Sequence, residues 1–171
     1  VARVDFAWPE RRLALEYDGA WHGDPEQFPK DRRRLNRLSD VANTGLAAAS
    51  VQGRDFDLDV VARVAGLAAG DVLDALEEAT DARLVAEVAG RPGRFRFAHA
   101  LVRETLYEEL PARERRRLHD RVGAALVELR GDDFEGYLAE LAHHFAQAAR
   151  PGRADQALAY ARQAGDRAMR V

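Results

Sequence analysis

The first 18 residues alternate between apolar and polar positions, which is typical of short, half-buried strands. The apolar positions of the two predicted strands are Val4, Phe6 and Trp8, then Leu13, Leu15 and Tyr17. Between them, Pro9 to Arg12 is a polar connector of hairpin length. With Glu10 and Arg11 at the tip, Asp5 would face Glu16 across the hairpin.

After Ser39 the apolar residues change to helical spacing, interrupted by one hairpin signal. Asp57 or Asp59 is a candidate cap for a helix carrying Val60, Val61, Val64 and Leu67, and Asp71 for a helix carrying Val72, Leu73, Leu76 and Ala79. Strands are predicted at Leu84 to Val88 and at Phe95 to Phe97, around the turn signal Gly90-Arg91-Pro92-Gly93. Three short helices followed by a hairpin predict a winged helix.

The remaining chain predicts helices that pack as hairpins. The expected segments are Ala100–Leu110, Pro111–Leu129, Tyr137–Ala149 and Ala154–Met169, with Leu118, Val122, Ala125 and Leu129 as the buried stripe of the second. Regularly spaced alanines in the last helix permit close helix packing, as in stacked helical repeats. The fold class is therefore mainly α: an N-terminal β-hairpin, a winged helix with a short wing, then helical hairpins. The hydrophobic core is expected within residues 55 to 130.

Composition narrows the classes of protein that fit. The 171 residues are 47% hydrophobic and 32% charged, which is typical of a globular protein. A net charge of -3 gives no general attraction to nucleic acid, and the absence of cysteine excludes disulfides and thiolate metal sites. The sequence has neither a secretion signal nor an apolar run of the roughly 20 residues that a membrane helix needs. We expect a cytoplasmic protein without membrane contact.

The N-terminal hairpin carries candidate metal ligands. Asp5, Glu16 and Asp18 would crowd one face of it, near His22. Carboxylates are suitable ligands for Mg²⁺, and a bound Mg²⁺ can activate water for phosphodiester hydrolysis. The alternative is that these acidic residues only decorate the solvent face of a hairpin.

The residues of this segment carry a family resemblance. VDFAWPERRLALEYDGAWH, followed by DPEQFPKDRRRLNRL, resembles the very-short-patch-repair-like endonucleases of the PD-(D/E)xK fold. The resemblance implies metal binding by Asp5 and Glu16 and a catalytic role for His22, whereas Asp18 stands where the broad motif has lysine. It ends near Leu38, because SDVANTGLAAASVQG replaces the core strand expected next. Residues 1–38 are therefore predicted to be a truncated and inactive nuclease-like segment.

A second resemblance covers residues 39–171. AAASVQGRDFDLDVVARVAGL, GRFRFAHALVRETLYEEL and RRRLHDRVGAAL look like the region that follows the ATPase domain in STAND regulators. These signal-transducing ATPases include LuxR/MalT-type transcription regulators and cyclase-associated ATPases. YLAELAHHFAQA and ADQALAYARQAGDRA look like the start of their TPR-like helical arm. The resemblance implies a winged helix at residues 39–110 and a helical arm at residues 111–171.

The resemblance to STAND regulators also implies one nucleotide-sensing residue. In such regulators a winged-helix histidine contacts the bound nucleotide, and His99 in RFAHAL matches its position. An imidazole can donate a hydrogen bond to a phosphate oxygen, although His99 could equally well only pack at a helix start. A phosphate-binding loop requires lysine after glycines, and the sole lysine, Lys30, lies between Pro29 and Asp31. ATP or ADP would thus bind only to an ATPase domain that this chain lacks, on the same polypeptide or a separate one.

Three further features suggest weaker sites. DNA recognition by the third helix of the winged helix is disfavoured by its acidic residues, Asp71, Asp74, Glu77, Glu78 and Asp81. Arg113, Arg116, Arg117 and Arg121 share a helix face, which fits a solvated surface better than a phosphate site. The neighbouring side chains of His143 and His144 should point about 100° apart, so that one packs inside and they do not chelate a metal as an i, i+4 pair would.

Three functions follow from these observations. The first is a non-catalytic regulatory segment that couples a nucleotide-binding ATPase domain to a helical sensor arm. The second is a Mg²⁺-dependent endonuclease using Asp5, Glu16 and Asp18. The third is a chimeric reading frame whose two parts have no joint function.

Overall fold

The computed structural model describes residues 6–8, 13–15, 35, 38–131, 135–150 and 152–170. Within these residues the chain is mainly helical with two short hairpins, as the sequence predicts, and a third strand extends the second hairpin to a small antiparallel sheet. The strands are β1 (Phe6–Trp8), β2 (Leu13–Leu15), β3 (Asp55–Asp57), β4 (Val85–Glu87) and β5 (Arg94–Phe97). The α-helices are α1 (Asp40–Gln52), α2 (Leu58–Ala65), α3 (Ala69–Asp81), α4 (Ala100–Glu109), α5 (Ala112–Arg130), α6 (Leu138–Ala148) and α7 (Arg153–Ala168), with a 3-10 turn at Glu135–Tyr137 before α6.

The N-terminal hairpin has the predicted register. β1 and β2 pair antiparallel, with Phe6 opposite Leu15, Ala7 opposite Ala14 and Trp8 opposite Leu13. This register is the one expected from a tip at Glu10 and Arg11.

The middle of the chain has the topology of a winged helix. Helices α1, α2 and α3 pack beside a sheet of strand order β3-β5-β4, and the β4–β5 hairpin is the wing. Strand β3 was not predicted, because it has a single apolar residue, Phe56, between two aspartates. Its pairing with β5 stabilises it, since Arg96 on β5 donates to the Asp55 carboxylate at 2.6 Å. The hydrogen bond and positive charge of Arg96 lower the pKa of Asp55.

One predicted helix cap, Asp71, is wrong, the predicted cap Asp57 has the right position without the capping hydrogen bond, and one cap was missed. Helix α3 begins at Ala69, so Asp71 lies inside its first turn, where a negative charge favours the helix dipole. Asp57 occupies the cap position of α2, but its side chain makes no capping hydrogen bond, because it pairs with arginines instead. Helix α1 is capped by Ser39, whose Oγ accepts from the Ala42 amide at 3.2 Å.

Helices α5, α6 and α7 form the helical arm. Pro111 precedes α5, and Gly152, with a φ of 81°, allows the reversal into α7. Helix α6 packs against both α5 and α7, with the ring of Phe145 stacked on that of Tyr160 at 5.8 Å between centroids. The arm thus consists of two successive helical hairpins, as predicted.

One hydrophobic core runs through the winged helix and the arm. It is wider than the predicted 55–130 range, because it also includes Leu35, α1 residues such as Leu46, and Leu141 and Phe145 of α6. Leu73 and Leu129, predicted to be buried, are 43% and 38% exposed, since nothing in the described structure packs over those edges of α3 and α5. Among the described helices, none combines the length and apolar character needed to cross a membrane.

Candidate functional site

The residues of the nuclease-like motif lie outside the described structure. Asp5, Glu16, Asp18 and His22 belong to parts of residues 1–34 whose placement the structure does not describe. The Mg²⁺ site and its catalytic role therefore stay predictions from sequence.

The nucleotide-sensing candidate lies at a junction of elements. His99 follows β5 and occupies the N-cap position of α4, with extended backbone and a half-buried residue surface. Its side chain makes no capping hydrogen bond to the helix. This places His99 beside the winged helix sheet, at the joint that the sequence indicated.

The third helix of the winged helix presents acidic residues to solvent. Asp71, Asp74, Glu77 and Asp81 on α3 are exposed, while Glu78 is half-buried and accepts hydrogen bonds from the backbone and Oγ of Ser39. On α5, Arg113, Arg116 and Arg117 are exposed and Arg121 is half-buried. The arginine face is therefore mostly solvated, and Arg117 pairs with Glu114 at 3.7 Å.

An ion-pair network links the winged helix to the arm. It is formed by Asp57, Asp59, Arg94 and Arg130 and is here called the junction clamp. The guanidinium of Arg130, at the end of α5, donates to Asp57 Oδ2 at 2.9 Å and to Asp59 Oδ2 at 2.8 Å. Asp57 also accepts from Arg94 on β5 at 3.1 Å. A strand, a helix start and a helix end thus share one network.

The clamp is partly removed from water. Asp57 is 9% exposed, and a cleft of about 500 Å³ beside it is bounded by the wing and by Tyr137. Burial disfavours the charge of Arg130, but its hydrogen bond and attraction to Asp59 prevail and raise the pKa of the guanidinium. The Arg130 guanidinium also stacks over the Tyr137 ring at 5.2 Å. The buried Asp57 carboxylate thus has two arginine partners, Arg94 and Arg130.

A second site was missed by the sequence analysis: the histidine cluster, formed by His119 on α5 and His143 and His144 on α6. His119 Nδ1 and His144 Nδ1 lie 2.8 Å apart, within hydrogen-bond distance. One ring nitrogen from each histidine can be chosen so that all lie within 4.8 Å of one another. His119 and His144 are buried, whereas His143 is exposed.

Two other polar side chains, those of Tyr107 and Glu140, lie close to the cluster. The Tyr107 hydroxyl, on α4, lies 3.0 Å from His119 Nε2. The Glu140 carboxylate lies 3.8 Å from His144 Nε2, a nitrogen that is buried and has no hydrogen-bond partner among the described residues. The cluster therefore joins three helices through polar contacts inside an apolar core.

His119 is a neutral ring at neutral pH. Burial, together with the neighbouring histidines and the charges of Arg103 and Arg115, lowers the pKa of His119 to about 3. Burial and the proximity of His144 and Arg103 also lower the pKa of His143, which Glu140 partly opposes. A neutral imidazole is the form that binds a metal ion.

One part of the sequence prediction for the adjacent histidines is confirmed. His144 packs beside Leu141 and Phe145 while His143 faces water, as expected. The other part, that they do not chelate a metal as an i, i+4 pair would, stays a prediction; it did not consider His119, whose ring on another helix lies close to both. The sequence does place His119 on the inner face of α5, because it lies three and seven positions before the buried Val122 and Leu126.

Comparisons with known proteins give little further information. The chain matches no protein-family model and no solved structure. It is 44% identical over 43 residues to an uncharacterized protein of Mycobacterium tuberculosis strain CDC 1551 / Oshkosh, and equally to an uncharacterized protein of strain H37Rv. These 43 residues are 25% of this chain and 16% of each relative, so the chain spans only a small part of the proteins it matches.

Proposed function

We propose that this chain is a non-catalytic regulatory segment of a STAND-type signal-transducing ATPase of the LuxR/MalT-type class. Its role is to couple a nucleotide-binding ATPase domain to a helical sensor arm. The single observation that carries the proposal is the junction clamp, which ties the winged helix to the arm across their shared hydrophobic core.

The clamp suits mechanical coupling because it joins the parts that would have to move together. Arg130 ends the long helix α5, and its two carboxylate partners lie at the end of β3 and the start of α2. A second ion pair, between Arg63 on α2 and Glu128 on α5 at 2.8 Å, lies nearby on the surface. A displacement of the winged helix would therefore be carried to α5 and from there to α6 and α7.

His99 gives the proposed contact with nucleotide. It is located at the β5–α4 joint, so a shift of its side chain would act directly on the sheet that carries Arg94 and on α4. The ATPase domain and the bound ATP or ADP would come from outside the residues of this chain. The acidic surface of α3 supports a protein partner rather than DNA, because phosphates would repel it.

The proposal can be tested with the full chain in an extract of the cells that produce it. Chemical crosslinking and mass spectrometry should identify a P-loop ATPase joined to residues near His99, with a yield that differs between added ADP and a non-hydrolysable ATP analogue. His99→Ala should remove that nucleotide dependence, while His22→Ala, a histidine of the nuclease-like segment, should not. Failure to recover any P-loop ATPase would reject the proposal.

A second measurement addresses the coupling itself. In the recovered complex, exchanging ADP for the ATP analogue should change the hydrogen–deuterium exchange of α6 and α7 as well as that of the winged helix. Arg130→Gln should confine the change to the winged helix. If the arm responds equally with and without Arg130, the clamp does not transmit the signal.

A further inference from the structure

We propose that His119, His143 and His144 form a binding site for a divalent transition-metal ion, with Zn²⁺ as the best-suited ion. Imidazole nitrogen is a preferred ligand for zinc, copper and nickel, and three histidines with an open fourth position form a recurring zinc arrangement. The ligand-capable nitrogens already lie within 4.8 Å of one another. The site goes beyond the proposed coupling role and would exist with or without an ATPase domain.

The two buried ligands need only a small adjustment. Two nitrogens bound to one tetrahedral zinc ion are about 3.3 Å apart, given zinc–nitrogen distances of about 2.0–2.1 Å. His119 Nδ1 and His144 Nδ1 are 2.8 Å apart, so they must separate by only about 0.5 Å. The ion would take the place of the hydrogen atom that these two nitrogens share.

The remaining ring nitrogens have suitable second contacts. When a histidine binds metal through one nitrogen, its other N–H usually donates to an oxygen, which fixes the ring orientation. His119 Nε2 would donate to the Tyr107 hydroxyl oxygen, 3.0 Å away. His144 Nε2 is buried and has no hydrogen-bond partner among the described residues, and it lies 3.8 Å from the Glu140 carboxylate, which its hydrogen would face while Nδ1 binds the ion.

Binding of the ion needs no proton donor or acceptor from outside the site. If His119 carries its hydrogen on Nδ1 in the metal-free chain, this N–H donates to His144 Nδ1, and His119 Nε2 accepts from the Tyr107 hydroxyl. On binding, the His119 hydrogen moves from Nδ1 to Nε2, and both Nδ1 lone pairs face the ion. The number of hydrogens on the three rings does not change, so the net charge of the site rises by that of the ion alone.

Access and charge define the remaining requirements. His143 is exposed, so an ion can enter from its side and keep a water molecule in the fourth position. Arg103 and Arg115 stack on the Tyr107 ring at 5.5 and 5.2 Å, and their charge opposes a cation. Glu140 acts in the opposite direction. Bound metal would then link α5 to α6, closing the first hairpin of the arm.

The test uses the full chain without a histidine tag, stripped of metal with a chelator that is then removed. Titration with Zn²⁺ alone, followed by calorimetry, should show one site of micromolar or tighter affinity, and Zn²⁺ should raise the melting temperature. Co²⁺, bound in its place, should give the intense visible absorption of tetrahedral nitrogen-ligated cobalt. Weak, multiple binding without this absorption would mean that the cluster is a packed hydrogen-bond network only.

Variants separate a metal site from a structural one. His143→Ala removes an exposed ligand with little risk to folding and should weaken Zn²⁺ binding at least about tenfold, whereas His99→Ala should leave it unchanged. Glu140→Gln should weaken binding and Arg115→Gln should strengthen it, opposite effects that a purely structural role would not produce. Equal affinity in wild type and His143→Ala would overturn the proposal.

Discussion

Gly123 on α5 lies directly against the ring of Phe145 on α6. A β-carbon at position 123 would come within 2.6 Å of the Phe145 ring, closer than real β-carbons approach other atoms. Phe145 is buried, with 2% of its surface exposed, and also stacks on Tyr160 of α7. The absence of a side chain at Gly123 therefore sets how closely the first two helices of the arm pack.

We expect Gly123→Ala to destabilise the chain by up to about 2 kcal/mol. Overpacking a buried contact costs roughly 1–3 kcal/mol, which exceeds the roughly 1 kcal/mol that alanine gains over glycine inside a helix. Urea unfolding followed by circular dichroism would measure the change.

The matched control is Gly165 on α7. A β-carbon there would have no neighbour within 4 Å, so Gly165→Ala should stabilise the chain by about 0.5–1 kcal/mol through helix propensity alone. Opposite signs for the two substitutions would establish the close packing at Gly123, and a gain at both positions would contradict it.

Loss of the junction clamp should cost more than loss of a surface ion pair. Arg130→Gln leaves Asp57, which is 9% exposed, with Arg94 as its remaining partner. We expect a loss of about 1–3 kcal/mol, below the roughly 3–5 kcal/mol seen when a buried charge loses every partner. Arg63→Gln, whose pair with Glu128 is more than half exposed on both sides, should change stability by less than about 1 kcal/mol. Comparable losses in thermal melts of the two variants would show that the clamp is no stronger than a surface pair.

The histidine cluster should make the metal-free chain less stable in mild acid. The pKa of His119 is about 3 in the folded chain against an ordinary 6.5, so the unfolded chain binds more protons between these values. The stabilisation is complete above pH 6.5 and is lost as the pH falls towards 3, with a loss of up to about 3 kcal/mol between pH 7 and pH 4. Denaturant unfolding at several pH values, with a chelator present, should show a steeper pH dependence in wild type than in His119→Gln. Parallel curves would mean that His119 titrates normally.

Local patterns were sufficient to predict most of the elements. The Gly90-Arg91-Pro92-Gly93 turn located the wing, and both glycines do have positive φ, 74° and 77°. Strand β3 was not predicted, because its stability comes from pairing with β5 and from salt bridges to Arg94 and Arg96, which are contacts distant in sequence. A strand with one apolar residue has no local signature.

The sites were harder to predict than the fold. His119 lies 24 residues before His143, and only the antiparallel packing of α5 and α6 brings them together. The junction clamp similarly joins Asp57 to Arg130 across 73 residues. By contrast, the position of His99 at the β5–α4 joint could be predicted, because the strand pattern before it and the helix pattern after it both involve residues close in sequence. Leu73 and Leu129 were wrongly predicted to be buried, because helical spacing identifies the apolar face of a helix but not which residues at its edge are exposed.

The contact between the N-terminal segment and the rest of the chain gives the last prediction. The sequence placed the hydrophobic core within residues 55 to 130, yet Leu35 is 8% exposed and belongs to the core, and Leu38 packs against it. Leu35→Ala should therefore destabilise the full chain by about 2–3 kcal/mol, at the lower end for a buried leucine because it lies at the margin of the core. A chain beginning at Ser39 keeps the cap of α1 and the bonds of Ser39 to Glu78. If Leu35 is the main point of attachment, thermal melts of this shortened chain and of Leu35→Ala should show similar losses. A shortened chain that unfolds or aggregates, while Leu35→Ala melts cooperatively, would show that the nuclease-like segment and the winged helix are one folding unit.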